Sequence, residues 1–149
     1  MDLKELLRTQ SGEILENALQ SLNCAHLKSY SKSSPGENKK RLLNLLTLTQ
    51  QCVVEKKLIP MKEYAAQIAK ERFDAGFDLH EVHTAFNALE EELWNRVTKN
   101  ISAESLGEAL GLISTVLGAG KEELALTYVS LASKTRTQTL NLTELFGRN

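Results

Sequence analysis

Tyr64-Ala65-Ala66-Gln67-Ile68-Ala69-Lys70-Glu71-Arg72-Phe73-Asp74-Ala75-Gly76-Phe77-Asp78-Leu79-His80-Glu81-Val82, continuing through Ala85 and Leu89 to Leu93-Trp94, is the stretch that decides the fold. Tyr64, Ala65, Ile68, Ala69 and Phe73 recur at helical spacing. Gly76 then suits the left-handed position beyond a helix C-terminus. Asp78 opens the next helix, with Glu81 at the reciprocal capping-box position. Leu79, Val82, Phe86, Leu89, Leu93 and Val97 continue it close to a heptad seam. The reading is helix, tight turn, helix.

Working towards the N-terminus, Ile59-Pro60 starts the first of these two helices, since proline at the first helical position sacrifices no needed N–H. Before it, a helix opening at Ser34-Pro35 with Glu37 carries Leu42, Leu43, Leu45, Leu46, Leu48, Cys52, Val53 and Val54. Apolar residues on more than one face predict that it is strongly enclosed or shared with a partner subunit. Lys28 to Gly36 is polar and serine-rich, and is expected to be a mobile loop. The first helix spans Leu3 to about Asn23, with Asp2 and Glu5 at capping-box spacing.

Towards the C-terminus, Ser102 begins the last long helix, with Leu106, Leu110, Ile113, Leu117, Leu124, Tyr128 and Leu131 on its inner face. Gly111, Gly118 and Gly120 predict a kink near Gly118 or a split into two helices. Strand-type alternation is missing throughout. The expected fold is all-α: one domain over residues 1–149, a globin-like or up-and-down bundle of about five helices. Its core lies in about 1–135, and residues 136–149 form a polar tail on which Leu140, Leu142, Leu145 and Phe146 could dock a last turn.

A chain of 149 residues can bury a core without disulfides or metals. Its 18 Lys and Arg against 19 Asp and Glu give a net charge of −1, which argues against a nucleic-acid partner. Cys24 and Cys52 read as small buried hydrophobes in a reducing compartment. The charged start Met1-Asp2-Leu3-Lys4-Glu5 has no signal-peptide character, and the apolar runs are too short for a membrane span. The expected location is cytoplasmic.

No catalytic residue set is expected. His80 and His83 fall one short of the zinc-protease spacing, so the first helical turn reads as polar and no metal site is expected. His83 flanks the apolar seam and is the candidate axial ligand for a haem, with His26 next. Only eight Phe, Trp and Tyr residues are present to wall a porphyrin, and no cofactor is expected. Glu90-Glu91-Glu92 splay over different helix faces rather than converging. Gly118-Ala119-Gly120-Lys121 lacks the spacing of a phosphate loop. Lys39-Lys40-Arg41 and Lys56-Lys57 read as solvated helix ends. Leu89, Leu93 and Trp94 are candidate core or dimer contacts.

The stretch from Tyr64 to Trp94 resembles the N-terminal domain of RsbR/RsbRD-type proteins, the RsbT co-antagonists of bacterial stressosomes. Arg72, Gly76, Leu79, Val82 and Trp94 carry the likeness: a helix ending in arginine, a glycine turn, and a helix leading to tryptophan. The similarity in character extends over about residues 1–135. It implies a globin-like domain without haem that forms homodimers and serves as a non-enzymatic signal-input module in stress signalling. In that family a STAS domain with phosphorylatable threonines follows, and the present sequence contains no βαβ segment to form one. Arg72, Gly76 and Asp78 are accordingly expected to be structural residues of the turn. The alternative expectation is a small-ligand or haem-binding globin-like protein.

Overall fold

The computed structural model describes the backbone of residues 1–147 and the side chains of residues 1–135. It is an all-helical bundle, with no strand among the described residues. Among the described residues six helices follow one another: α1 (Leu3–Cys24), α2 (Lys28–Lys32), α3 (Pro35–Glu55), α4 (Ile59–Asp74), α5 (Leu79–Asn100) and α6 (Ala103–Gly147).

The helix starts follow the local chemistry of the sequence. Asp2 accepts from the Glu5 N–H at 2.8 Å to open α1, and Ser34 accepts from the Glu37 N–H at 3.1 Å to open α3. Each bond satisfies one of the orphan donors of a first turn. The apolar stripes then meet in one core. Leu6, Leu7, Ile14 and Leu22 of α1, Leu42 and Leu46 of α3, Met61 of α4, Phe86, Leu89 and Leu93 of α5, and Ile113 and Leu117 of α6 are all essentially inaccessible. Burying each such side chain contributes about 1.5–3 kcal/mol. The principal packing is between helices not adjacent in the chain, α4 on α6 and α1 on α5. Arg96 of α5 clamps the second pair, meeting Glu13 of α1 at 2.6 Å and Glu92 at 2.8 Å.

Several expectations are corrected. Residues 28–36 are not a simple loop: Lys28–Lys32 form the short helix α2, because Tyr30 is drawn into the core at 5% exposure. Leu43 and Val54 of α3 face outwards, so the chain itself does not enclose that helix on every face, which removes the first of the two expectations for it and leaves the second open to test. Cys52 is buried, whereas Cys24 sits exposed at the last turn of α1.

The last helix does not split at its glycines; α6 is one 45-residue helix. Buried Ile113, Val116 and Leu117 lie between Gly111 and Gly118, and Leu124 and Tyr128 follow Gly120. This continuous stripe outweighs the penalty of about 1 kcal/mol per glycine. Gly120 itself serves close packing, because a Cβ there would lie 2.9 Å from both Met61 Sδ and Phe86 Cε2. The space between α4, α5 and α6 is therefore filled at that level. The backbone of α6 continues through the expected polar tail to Gly147, while docking by Leu140, Leu142, Leu145 and Phe146 falls outside the described side chains.

Candidate functional site

The turn after α4 is a Schellman motif. The Phe77 N–H reaches back to the Arg72 carbonyl at 2.9 Å and the Gly76 N–H to the Phe73 carbonyl at 3.1 Å, with Gly76 at φ +85°. Such a motif brings the residue after the glycine over the last turn of the helix. Here that residue is Phe77, and it meets Arg72, whose guanidinium lies 5.9 Å from the ring centroid.

Phe77 is 7% exposed and gathers a cluster from four helices. Tyr30 of α2 approaches it edge-on with centroids 5.0 Å apart. The Arg41 guanidinium of α3 stands 5.2 Å from its centroid, and the Tyr128 hydroxyl of α6 donates to its carbonyl at 3.0 Å. The ring thus carries two guanidinium groups, each attracted by its π-face.

Between α3 and α4 a cleft of about 370 Å³ opens beside this cluster. Lys40, Arg41 and Arg72 line it, opposed by Glu37 and Glu71, with Asn44, Gln67 and Tyr64 completing the polar wall. Beneath lies a chamber of about 20 Å³ with largely apolar walls. Arg41, Tyr64, Ile68 and Arg72 border both spaces and so form the partition between them. Burial pushes the Tyr64 phenol up to about 12 despite the opposing Arg72 charge, leaving a neutral hydroxyl near neutral pH. Burial also raises Tyr30.

Arg72 is 8% exposed, and its side chain meets Glu71 through Nη1 at a long 3.4 Å. Glu71 is itself more than half exposed, so the pairing is poor compensation for a buried cation. The Arg72 Nε is buried with no hydrogen-bond partner. Arg41 is better satisfied, donating to the Ser33 hydroxyl at 3.0 Å and to Asn38 Oδ1 at 3.2 Å.

The residues singled out in the sequence are distributed as follows. Gly76 takes the left-handed turn, and Asp78 with Glu81 forms the capping box, the Asp78 N–H donating to Glu81 Oε2 at 2.9 Å. Arg72 does more than end a helix, since it walls the cleft. Leu89 and Leu93 are fully buried in their own core, whereas Trp94 is 42% exposed beside Asn87 and Glu91 and is not a core residue. His83 is half-buried; burial and then the neighbouring Lys121 and His80 charges lower its pKa. It lines neither the cleft nor the chamber. His26 occupies an exposed left-handed turn position at φ +51°.

Among the described residues no group of three or more His, Cys, Asp or Glu could hold a metal ion. Glu90 and Glu92 diverge, the first to Lys121 of α6 at 2.6 Å and the second to Arg96. Among the described residues no helix is long and apolar enough to cross a membrane.

Sequence reasoning missed Arg41 and Tyr64 as cleft residues. Arg41 lies on α3, which only tertiary packing aims at Arg72, whereas Tyr64 shares α4 with Arg72 about two turns upstream and reads from the sequence as a core-facing residue. In comparisons with known proteins, the chain matches no protein-family model, no curated protein and no solved structure.

Proposed function

We propose that this chain is a non-enzymatic signal-input and interaction module that acts as a cytoplasmic homodimer, of the globin-like stressosome-sensor type suggested by the Tyr64–Trp94 stretch. Its output then lies with a partner protein. The observation that carries the reading is on α6. That helix has 45 residues against 22 in α1 and in α5, a length of about 68 Å at 1.5 Å per residue. Leu124 and Tyr128 pack into the core, while Leu126 and Val129 on another face are 59% and 61% exposed. Residues three apart are neighbours on a helix surface, so the two form an apolar patch that the folded chain leaves uncovered. A second copy of α6 supplies a matching patch by symmetry.

Sedimentation velocity at micromolar concentration tests this. The wild-type chain is expected to sediment as a dimer, and the double variant Leu126→Lys, Val129→Glu as a monomer of unchanged helix content. A wild-type chain that stays monomeric throughout that range overturns the proposal.

A further inference from the structure

We propose that the α3–α4 cleft is a binding site for a small, singly charged organic carboxylate, held chiefly by Arg72. The first argument is the state of that side chain. A buried cation is costly unless it is paired and hydrogen-bonded. Arg72 is nine-tenths buried, yet its one ion pair among the described residues is the long contact to Glu71 through Nη1, with the Phe77 ring face and the Tyr30 hydroxyl beside it. The Nε–H, which belongs to the edge of the guanidinium that grips a carboxylate side-on, has no partner.

The second argument is charge. The cleft wall carries three cations, Lys40, Arg41 and Arg72, against two carboxylates, Glu37 and Glu71. One positive charge is in excess, which a monoanion neutralises and a dianion over-compensates. The third is shape and lining. About 370 Å³ accommodates a small ligand, and its wall offers the Tyr64 hydroxyl together with Asn44 and Gln67 as neutral hydrogen-bonding groups. Ile68, 7% exposed, gives the ligand an apolar contact. Because the Arg72 Nε is covered in the folded chain, engagement requires a rotation about the terminal torsions of that side chain. The competing occupant is one water in the 20 Å³ chamber, which is large enough to hold it.

The inference goes beyond the homodimer reading and does not depend on it. A monomer that binds carboxylate retains the site, and a dimer that binds none retains the interface. The test is arginine-selective proton–nitrogen NMR on the full chain, following the Arg72 Nε–H resonance while benzoate, propionate or inorganic phosphate is added. Benzoate or propionate is expected to move that resonance saturably. Lys40 is exposed, so Lys40→Glu keeps the fold, and it should weaken binding about tenfold or more by reversing a wall charge. Arg72→Lys, which keeps the charge but loses the fork, should weaken it about 10- to 100-fold. If Arg72→Lys does not fold, the wild-type resonance and Lys40→Glu decide. No saturable movement up to about 10 mM carboxylate, a range covering weak millimolar affinities, means that only water satisfies Nε and overturns the site. Unchanged affinity in folded Lys40→Glu overturns the charge argument, and tighter binding of phosphate than of either carboxylate overturns the ligand class.

Discussion

The Glu81 carboxylate, on the first turn of α5, accepts both the N–H and the hydroxyl of Ser29 at 2.7 Å. Its Oε2 also accepts from the Asp78 N–H at 2.9 Å. One buried side chain, 4% exposed, therefore serves two helix starts, its own and that of α2. Leu27, at the N-cap of α2, has no side chain able to accept, so Glu81 supplies the missing acceptor from across the bundle. Tyr30, one residue further on, is thereby held against Phe77 and the arginine cluster.

Acid should release this tie. Burial alone would raise the Glu81 carboxyl, but the Ser29 and Asp78 donors, helped by Lys28, outweigh it and hold the pKa below its ordinary 4.5. A carboxyl depressed on folding contributes stability that is fully present above the unfolded value and is lost as pH falls through the folded one. The contribution should therefore be intact at neutral pH and fade as pH drops below about 4.5. Glu81→Gln keeps one acceptor oxygen and loses the charge, and should lower stability at pH 7 by about 1.5–3 kcal/mol. Urea unfolding at pH 7 and pH 3.5 checks both points. The wild-type chain should lose more stability between the two than the variant does, and an equal loss assigns the acid sensitivity elsewhere.

The capping half of this arrangement was legible in the sequence, because Asp78-x-x-Glu81 is a local pattern. The Ser29 half was not, since 52 residues separate the partners and nothing local in a serine-rich stretch announces a buried tyrosine beside it. The same division runs through the fold. Helix starts at Asp2, Ser34 and Asp78 and the turn at Gly76 are set by neighbours in sequence. The continuity of α6 is set by tertiary packing, which overrode three glycines. The cleft was the least legible feature, for Arg41 and Arg72 lie 31 positions apart and look like ordinary helix cations until Phe77 brings them together.

The glycines of α6 should part company on substitution. Gly118 and Gly120 both lie inside the helix, where alanine gains about 1 kcal/mol in propensity. A Cβ at Gly118 meets nothing within 4 Å, so Gly118→Ala should stabilise by about 0.5–1 kcal/mol. At Gly120 the new methyl would press on Met61 and Phe86, both fully buried and unable to swing into solvent. Overpacking of about 1–3 kcal/mol should exceed the propensity gain and make Gly120→Ala net destabilising. Thermal melts of the two variants should shift in opposite directions, and a rise in both would mean that α4 and α5 yield freely at this contact.

Exposed Leu126 and Val129 also predict how each single change behaves. Leu126→Lys or Val129→Glu alone alters no buried contact of the folded chain, so monomer stability should change by no more than about 0.5 kcal/mol. The dimer dissociation constant should nevertheless rise by tenfold or more for each, since a desolvated apolar contact becomes a buried charge. Concentration-dependent sedimentation of the single variants separates the two effects. A fall in intrinsic stability without a change in association would place these side chains in the fold rather than at an interface.

Substitution at Gly76 isolates a backbone effect. Beyond the two adjacent residues no atom lies within 4 Å of a Cβ built there, so no packing neighbour is crowded and the dihedral decides. At φ +85° a β-branched side chain meets the preceding and following peptide units, while asparagine tolerates the left-handed region. Gly76→Asn should therefore cost about 1 kcal/mol and Gly76→Val about 2 kcal/mol or more. The two Schellman bonds tie this turn to the Arg72 and Phe73 carbonyls. The valine variant should then also disturb the contact between Phe77 and Arg72 at the cleft. Chemical denaturation gives the stability order, and the Arg72 Nε–H resonance gives the local consequence. An equal stability loss in the two variants would show that the residue at 76 is limited by packing and not by its left-handed backbone.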